Sequence, residues 1–267
     1  MADRYAVIGN PVAHSKSPWI HAEFARQTRQ DMAYERIEAP LDGFARTVDA
    51  FRAAGGRGTN VTVPFKDQAF RYCGNANSER AGAAGVVNTL IFEGGTVRGD
   101  NTDGVGLLRD ITVNLGRAIE GRRVLLMGAG GAAQGVVGPL LSARPQRLVI
   151  ANRTPARARA LAQRSGAASG GGYEELGDTQ FDLLINATSA GLAGEAPPLP
   201  PGAFAPGALG YDMVYGRDTP FLAMARAAGA EARDGTGMLV EQAAESFLLW
   251  RGLRPDTAPV LAALRQR

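Results

Sequence analysis

The sequence has almost no cysteine and no long apolar run. Its 267 residues include a single cysteine, Cys73, so an internal disulfide is impossible and a reducing cytoplasm is favoured. No segment approaches the roughly 20 consecutive apolar residues that a membrane-spanning helix needs. The apolar segment Tyr5–Gly9 is too short for the hydrophobic part of a signal peptide and is typical of a first strand. We therefore expect a cytoplasmic protein without a membrane segment.

An excess of charge of one sign is also lacking. The chain has 29 Lys and Arg against 26 Asp and Glu, a net charge of +3. The basic residues are scattered and are not interleaved with aromatic residues, which argues against nucleic-acid binding. The only histidines, His14 and His21, form no cluster with cysteine or acidic residues at ligand spacing, so we expect no metal site. The small positive excess suits a small anionic ligand.

Glycine, by contrast, is abundant, with 35 residues, and short apolar segments alternate with segments of helical spacing. This alternation predicts an α/β fold with parallel strands and right-handed crossovers. The pattern restarts near Gly121, which indicates a second domain. The predicted strands are Tyr5–Gly9, Tyr34–Ala39, Gly58–Val63, Val86–Phe92, Thr96–Gly99, Arg123–Met127, Arg147–Ala151, Phe181–Asn186 and Gly210–Val214. The predicted helices are Ser17–Phe24, Leu41–Ala54, Asp103–Leu115, a helix that follows Ala133 and ends at about Ser142, Pro155–Arg164, Pro220–Ala228 and Met238–Trp250. Loops are expected at Gly166–Gly172 and Gly194–Gly207.

A glycine motif follows the strand that opens the second domain. Gly128 permits a tight turn, Gly130 lets backbone amides approach a pyrophosphate, and the small Ala133 allows close packing of helix and strand. The N-terminus of the following helix offers free N–H groups to phosphates. The motif has a strand before it and a helix after it, which favours a dinucleotide site over another glycine-rich turn.

The residues after the next strand distinguish the two nicotinamide dinucleotides. A site for NAD usually has Asp or Glu there, on the ribose 2′-OH. This chain has Asn152-Arg153-Thr154, followed one turn later by Arg157. Guanidinium groups can hold a 2′-phosphate through paired hydrogen bonds. We therefore predict NADP, the alternative being that Arg153 and Arg157 only form a solvated helix face.

Polar residues in the first domain indicate a small polar substrate. Ser15 and Ser17 precede a helix and can present hydroxyl and amide groups to a carboxylate, although Ser17 also fits a simple helix cap. Strand alternation places Asn60 and Thr62 on one face before Lys66. Two further polar candidates are Asn88, inside an apolar segment, and Asp103, at a helix start. Asp103 could alternatively be a first-turn acid, and Lys66 an exposed surface ammonium.

Together these segments resemble the motif series of the shikimate dehydrogenase family, in the order of that family and over nearly the whole chain. The matching segments are Ser15-Lys16-Ser17-Pro18, Asn60-Val61-Thr62-Val63-Pro64-Phe65-Lys66, Val87-Asn88-Thr89, Asn101-Thr102-Asp103-Gly104, Gly128-Ala129-Gly130-Gly131-Ala132, Asn152-Arg153-Thr154, Asn186-Ala187-Thr188-Ser189, Tyr211-Asp212-Met213-Val214-Tyr215 and Gly237-Met238-Leu239-Val240 with Gln242-Ala243.

The resemblance implies an N-terminal α/β substrate domain and a Rossmann-type NADP domain, with C-terminal helices returning to the first domain. We place the substrate domain at 1–102 and 237–267 and the NADP domain at 103–236. The implied reaction is the NADPH-dependent, reversible reduction of 3-dehydroshikimate to shikimate, on the pathway to chorismate and aromatic amino acids. The chain is expected to act as a monomer or homodimer, without nucleic-acid or membrane partners.

The resemblance also implies roles for individual residues. Lys66 and Asp103 would form the catalytic pair. The implied substrate contacts are Ser15, Ser17, Asn60, Thr62, Lys66, Asn88, Asp103, Tyr215 and Gln242. The implied cofactor contacts are Gly128, Ala129, Gly130, Gly131, Ala132, Asn152, Arg153, Thr154, Arg157, Thr188, Ser189, Met213, Val214, Gly235 and Met238.

The chemistry fits the pair, because hydride transfer to a ketone builds negative charge on oxygen that Lys66 can neutralise by donating a proton. Two other functions stay open from the sequence. One is a dehydrogenase that also accepts quinate, and the other is an NADP-binding regulatory protein that has lost catalysis. Retention of both Lys66 and Asp103 argues against the second.

Overall fold

The computed structural model describes residues 2–166 and 168–266, and it describes Leu192 and Ala193 by their backbone alone. The chain divides into two compact units. The first unit runs up to Gly106 and resumes at Leu239, and the second unit is Leu107–Met238. Asp103 therefore lies in the first unit, because that unit extends past the boundary expected at residue 102. Ala167, within the segment expected to be a loop, lies outside the described residues.

Strands and helices alternate through both units. The strands are β1 (Asp3–Gly9), β2 (Met32–Glu38), β3 (Gly56–Val61), β4 (Thr89–Glu93), β5 (Thr96–Asp100), β6 (Arg123–Met127), β7 (Arg147–Ala151), β8 (Ser169–Gly171), β9 (Phe181–Asn186), β10 (Phe204–Asp212) and β11 (Glu231–Asp234). The helices are α1 (Ser17–Thr28), α2 (Phe44–Ala53), α3 (Lys66–Cys73), α4 (Glu79–Ala84), α5 (Asp103–Arg109), α6 (Gly131–Ser142), α7 (Pro155–Ser165), α8 (Pro220–Ala227), α9 (Thr236–Arg251) and α10 (Ala258–Arg265). Short 3₁₀ turns lie at Gly74–Ala76, Tyr173–Leu176 and Ala190–Ala193.

The first unit is built on a five-stranded sheet in the order β2-β1-β3-β4-β5. β1 runs parallel to β2 and β3, whereas β4 runs antiparallel to β3 and β5. Gly94 and Gly95 connect β4 to β5 with positive φ angles, which confirms the predicted hairpin. In this arrangement the ends of β1, β3 and β5 and the start of β4 meet at one edge of the sheet. Polar residues that follow or precede these strands are thereby gathered at that edge.

Two apolar clusters hold the first unit together. One contains residues of β1, β3 and β4 with Phe44 and Phe65. The other joins α1, α9 and α10 through Phe24, Phe247 and Val260. Because the C-terminal helices contribute to the second cluster, α9 brings its side chains into the same unit as residues near the N-terminus.

The second unit is a six-stranded, fully parallel sheet in the order β11-β10-β9-β6-β7-β8. Its first strand, β6, lies in the middle, and the chain builds outwards first through β7 and β8 and then through β9 to β11. This is the strand order of dinucleotide-binding folds, in which ligands bind where the direction of winding changes. That point lies between β6 and β9. The predicted α/β fold with a Rossmann-type half is confirmed.

Three expectations about local structure are wrong. Ser17 is not the cap of α1, because Lys16 already has helical dihedral angles (φ −87°, ψ −7°) and occupies the cap position without a side-chain hydrogen bond. The α-helix that begins at Asp103 ends at Arg109, and the residues after it, Asp110–Asn114, form one π-helical turn instead of a further α-helical turn. The segment expected as a loop after Gly166 contains the short edge strand β8. Among the described residues, no helix is long and apolar enough to cross a membrane.

Candidate functional site

The centre of the candidate site in the first unit is an ion pair between the first residues of two helices. Lys66 begins α3, just after β3, and Asp103 begins α5, just after β5. The Lys66 Nζ lies 2.5 Å from Asp103 Oδ2. Their side chains are only 16% and 8% exposed, so water competes little for this contact. A shielded ammonium held by a single carboxylate oxygen is suited to proton transfer.

Asn88 fixes the other oxygen of the carboxylate. Its Nδ2 donates to Asp103 Oδ1 at 2.9 Å and to the Thr102 hydroxyl at 3.0 Å. Its Oδ1 accepts a hydrogen bond from the Thr102 backbone N–H at 2.9 Å. The backbone N–H of Asp103 donates to Asn101 Oδ1 at 3.0 Å. The Asp103 carboxylate thus has one oxygen for Lys66 and one for Asn88, which sets its orientation.

Asn60, at the end of β3, is held by a second group of buried hydrogen bonds. Its Nδ2 donates to Ser246 Oγ on α9 at 2.9 Å and to Thr89 Oγ1 at 3.1 Å. Its Oδ1 accepts from the Tyr34 hydroxyl of β2 at 2.7 Å. Thr89 Oγ1 in turn donates to Asn88 Oδ1 at 2.9 Å. Asn60 and Asn88 therefore belong to one continuous polar network, in which each side chain restrains the next.

Gln242 of α9 extends this network. Its Oε1 lies 3.4 Å from both Asn88 Nδ2 and Thr102 Oγ1, and its Nε2 donates to the Leu239 carbonyl at 2.9 Å. Thr62 follows β3, and its methyl group lies against Gly9, where an added Cβ would come within 2.4 Å of it. Glycine at position 9 is therefore required by the close approach of these two segments.

The two serines lie in the turn that leads into α1. Both are buried, at 8% and 6% exposure. The Ser17 backbone N–H donates to Ser15 Oγ at 3.3 Å, so Ser15 rather than Ser17 satisfies a donor at the start of the helix. The Ser15 carbonyl accepts from Arg36 of β2 through Nε at 3.0 Å and Nη2 at 2.5 Å.

His21 is buried behind these residues. Its ring stacks on Tyr34 with a centroid distance of 4.2 Å and an interplanar angle of 7°. Neither ring nitrogen hydrogen-bonds to another described residue. Burial lowers the pKa of His21 to about 3, against a smaller opposing effect of the neighbouring Asn60. His21 is therefore neutral at physiological pH and acts as an aromatic support for Tyr34.

The arrangement in the first unit is suited to a small ligand with a carboxylate and several hydroxyl groups. Amide, hydroxyl and carboxylate groups can each pair with a ligand hydroxyl. The described residues contain no group of three or more His, Cys, Asp and Glu that could hold a metal ion. The single ammonium and carboxylate of Lys66 and Asp103 are the groups here that can exchange a proton with a ligand.

The glycine loop of the second unit is open to a ligand. Gly128 has a φ of +109°, which only glycine adopts readily, and a Cβ there would approach the Ala187 carbonyl oxygen to 3.1 Å. A Cβ on Gly130 would meet no atom within 4 Å, so the space over this residue is free. α6 begins directly afterwards, at Gly131. Ala129 and Ala132 flank these glycines, and the residues present fit a dinucleotide pyrophosphate.

The side chains after β7 carry positive charge at the surface. Asn152 Nδ2 donates to the Thr154 carbonyl at 3.0 Å, which holds the turn. Arg153 and Arg157 are exposed, and Arg153 Nη1 lies 3.6 Å from Glu195 Oε2. The segment directly after β7, residues 152–165, contains no acidic residue, but the distant Glu195 supplies a carboxylate to the same region. Both partners are mostly exposed, so the pair contributes little stability.

A buried network orders the loops after β9 and β10. Asn186 Oδ1 accepts from the Thr188 backbone N–H and hydroxyl at 3.1 and 2.7 Å. Asn186 Nδ2 and the Thr219 hydroxyl donate to Asp212 Oδ2 at 3.1 and 2.6 Å, and the Val214 N–H donates to its Oδ1 at 3.0 Å. Burial raises the pKa of Asp212, while these hydrogen bonds lower it. Thr188, Ser189, Met213 and Val214 are thereby placed at the carboxyl edge of the sheet.

Gly235 and Met238 follow β11 in the same unit. A Cβ on Gly235 would come within 2.4 Å of the Met213 carbonyl oxygen, so glycine is needed for this approach. Met238 is 7% exposed and packs in an apolar cluster with Leu107 and Ile111. Its side chain is therefore a core residue of the second unit.

The structure brings together six of the predicted substrate residues in one hydrogen-bonded group or its immediate flank: Asn60, Lys66, Asn88, Asp103 and Gln242, with Thr62 alongside. Ser15 and Ser17 lie in the same unit; burial raises the pKa of Tyr34 well above its usual value, and the Ser17 side chain lowers it. Tyr215 belongs to the second unit, and its role stays a prediction. Sequence reasoning did not identify Tyr34, Arg36, Ser246 or Glu195, because each contacts the site from a distant part of the chain and carries no motif of its own.

Three family models match successive parts of the chain. The model described as the shikimate dehydrogenase substrate binding domain matches residues 7–90. The model of shikimate / quinate 5-dehydrogenase matches residues 111–193. The model of the shikimate 5'-dehydrogenase C-terminal domain matches residues 235–265. Together they cover residues from both units.

Whole proteins match over almost their full length. The shikimate dehydrogenase (NADP(+)) of Nitrosospira multiformis is 61% identical over 271 residues, covering 99% of this chain and 98% of the relative. The crystal structure of an Ael1 enzyme from Pseudomonas putida has a TM-score of 0.92 at 49% identity and covers 98% of both chains. Shikimate 5-dehydrogenase from Thermus thermophilus, in complex with NADP(H) and shikimate, has a TM-score of 0.89 at 36% identity over 99% of both chains.

Proposed function

Since the chain belongs to the shikimate dehydrogenase family, we propose that it interconverts shikimate and 3-dehydroshikimate with NADP as cofactor and Lys66 and Asp103 as the acid–base pair. The family membership makes the chain an NADP-dependent dehydrogenase. The observation that carries the residue-level proposal is the shielded Lys66–Asp103 pair, with 2.5 Å between Nζ and Oδ2. It lies within a network of side chains suited to a polyhydroxylated acid.

In the direction of reduction, bound NADPH supplies a hydride to the ketone carbon. Lys66, as an ammonium, donates a proton to the ketone oxygen as negative charge develops there. In the direction of oxidation, the neutral Lys66 amine accepts the proton that the alcohol loses. Asp103 orients Lys66 through Oδ2 and is itself oriented by Asn88 through Oδ1. Lys66 is thus a proton donor whose position is set by Asp103 before the ligand binds.

The remaining residues of the first unit bind and orient the substrate. The hydroxyl groups of Ser15 and Ser17 hold the carboxylate. Asn60, Thr62, Asn88 and Gln242 take the hydroxyl groups, and hydrogen bonds to neighbouring residues orient Asn60, Asn88 and Gln242. A role of Tyr215 in substrate binding stays a prediction from the family resemblance. Because a site built to pair with hydroxyl groups leaves buried polar groups unpaired when a hydroxyl is missing, it discriminates strongly against deoxy analogues.

The second unit binds NADP under this proposal. The Gly128–Gly130 loop and the start of α6 hold the pyrophosphate, and Arg153 and Arg157 hold the 2′-phosphate. Thr188, Ser189, Met213, Val214, Gly235 and Met238 line the nicotinamide end. We accordingly assign the first unit, up to Gly106 and from Leu239 onwards, to substrate binding and the second unit, Leu107–Met238, to the cofactor. We also propose a cytoplasmic monomer or homodimer, in keeping with the single buried thiol of Cys73.

A spectrophotometric assay at 340 nm tests the proposal. The purified chain is given shikimate or quinate with NADP or NAD, and kcat/KM is measured for each of the four combinations. We expect the highest kcat/KM for shikimate with NADP. A kcat/KM with quinate that equals or exceeds that with shikimate would contradict the assignment of shikimate as the substrate. A kcat/KM with NAD equal to that with NADP would contradict the role of Arg153. Absence of turnover in all four combinations, with NADP still binding, would favour a regulatory NADP-binding protein.

A further inference from the structure

The strand β2 presents different side chains on its two faces. Successive residues of a strand point to opposite sides, so Tyr34 and Arg36 share one face, and Glu35 and Ile37 share the other. On the second face, Glu35 pairs with Arg4 at 2.7 Å. On the first face, both Tyr34 and Arg36 contact residues of the substrate site. This face of β2 therefore lies against the Ser15–Ser17 turn.

Arg36 is held beside this turn through its hydrogen bonds to the backbone. Two of its five N–H donors meet the Ser15 carbonyl, from Nε at 3.0 Å and from Nη2 at 2.5 Å. Among the described residues, no acidic side chain forms an ion pair with Arg36. A carbonyl oxygen carries no net charge, so the positive charge of the guanidinium stays uncompensated next to Ser15. The further donors on its Nη atoms remain to serve a ligand.

Tyr34 ties the same face of β2 to the rest of the site. Its hydroxyl donates to Asn60 Oδ1 at 2.7 Å, which joins β2 to the polar network of the site. Its ring is supported by the stacked ring of His21. Tyr34 and Arg36 thus contact Asn60 and the Ser15 carbonyl from one face of β2, where Arg36 is exposed to solvent.

We infer that Arg36 is a specificity-determining residue that supplies the positive charge of the carboxylate subsite at Ser15 and Ser17. The inference rests on the proposed function, because it takes the Ser15–Ser17 turn to be the place of the substrate carboxylate. Serine hydroxyls and amides bind neutral acceptors as well as anions, whereas a permanently charged guanidinium favours an anion. Arg36 therefore accounts for selection of the acid over its neutral derivatives.

The experiment compares the substrate with its neutral methyl ester. Values of kcat and KM with NADP are measured for the wild type, Arg36→Gln, Arg36→Lys and Arg46→Gln. Arg46 is an exposed residue of α2 in the same unit, so Arg46→Gln removes the same charge away from the site. The wild-type KM for shikimate is also measured at 0.05 M and 0.5 M salt, because screening weakens an exposed charge interaction.

We expect Arg36→Gln to raise the KM for shikimate roughly tenfold, equivalent to about 1.4 kcal/mol, with kcat changed less than twofold. The KM for the ester should change less than twofold in the same variant. Arg36→Lys should stay within about threefold of the wild type, because it retains the charge. The wild-type KM for shikimate should rise with salt, and the KM of Arg36→Gln should rise less. Arg46→Gln should behave as the wild type.

Equal effects of Arg36→Gln on shikimate and on its ester would overturn the inference, because they would mean that Arg36 only shapes the turn. The same conclusion would follow from an unchanged KM or from an equal effect of Arg46→Gln. If Arg36→Gln does not fold, two other results together would overturn the inference. They are a wild-type KM for shikimate that does not change with salt and a tenfold higher KM in Arg36→Lys. A wild type that does not oxidise shikimate at all would instead contradict the proposed function.

Discussion

The buried His21 predicts that the first unit loses stability in mild acid. The ring is fully buried among Tyr34, Phe24, Phe247 and Trp250, and its nitrogens make no hydrogen bond within the described residues. Its pKa is lowered from 6.5 to about 3 in the folded protein. The unfolded chain binds a proton at this histidine more readily than the folded one. The free energy of unfolding is therefore not reduced by His21 above pH 6.5, and it falls as the pH drops towards 3.

The size of the effect at pH 5 depends almost only on the unfolded pKa. At that pH an unfolded histidine with a pKa of 6.5 is protonated about 30 to 1, whereas the buried ring stays neutral. The unfolded state gains RT times the logarithm of this ratio, about 2 kcal/mol. A loss of this size is a large part of the ~5–15 kcal/mol by which proteins are stable. Replacing His21 by an apolar residue should remove this contribution to the pH dependence of the free energy of unfolding.

The assay is urea unfolding at pH 7.5, 6 and 5, followed by tryptophan fluorescence. Trp19 and Trp250 are the only tryptophans, and both belong to the first unit, so the signal reports the unit that contains His21. We expect the free energy of unfolding to fall between pH 7.5 and 5 by about 2 kcal/mol more in the wild type than in His21→Leu.

The exposed histidine provides the control, because His14→Leu is the same substitution at a solvated site. It should keep the wild-type pH dependence. Acidic groups titrate alike in all three proteins and cancel in the comparison. Parallel loss of stability in the wild type and His21→Leu, to within about 0.5 kcal/mol, would refute the argument that a buried, unpaired neutral ring opposes protonation.

Two further predictions concern ligand binding. Ser15→Ala should raise the KM for shikimate with kcat nearly unchanged, because it removes a carboxylate contact that exists before the transition state; an unchanged KM in steady-state assays would remove Ser15 from the anchor. Arg153→Ala should lower kcat/KM with NADP by roughly tenfold and leave kcat/KM with NAD unchanged, since a 2′-phosphate contact is absent in NAD. Arg164→Ala, in the last turn of the helix α7 that follows Arg153, is the matched control, and equal losses with both cofactors would contradict the assignment.

The buried strands of the second unit are predictable to the residue. β6, β7 and β9 have the predicted bounds Arg123–Met127, Arg147–Ala151 and Phe181–Asn186. Each is buried on both faces along most of its length, so each is a continuous apolar segment that contrasts with its neighbours. The edge strands β8 and β11 escape prediction because they are short and polar or glycine-rich. Their conformation depends on pairing with β7 and β10, not on their own side chains.

The site is predictable where its residues stand in motifs and unpredictable where they do not. Lys66, Asn88 and Asp103 each interrupt an apolar or glycine-rich pattern and can be picked out along the chain. Ser246 and Tyr34 reach the network from elements far apart in sequence, with Ser246 contacting Asn60 across 186 positions. The expected cap role of Ser17 fails for a local reason. Lys16 is already helical, so the hydroxyl at the right distance belongs to Ser15.

The central claim is that Lys66 transfers the proton, and steady-state kinetics of Lys66→Ala test it most directly. The control is Arg71→Ala, which removes a positive charge from the exposed part of the same helix. We predict that Lys66→Ala lowers kcat for NADP-dependent shikimate oxidation by about 10² or more, the range of a lost general acid or base, while KM for shikimate changes much less and Arg71→Ala keeps wild-type kinetics. A Lys66→Ala enzyme with near-normal kcat would contradict the account.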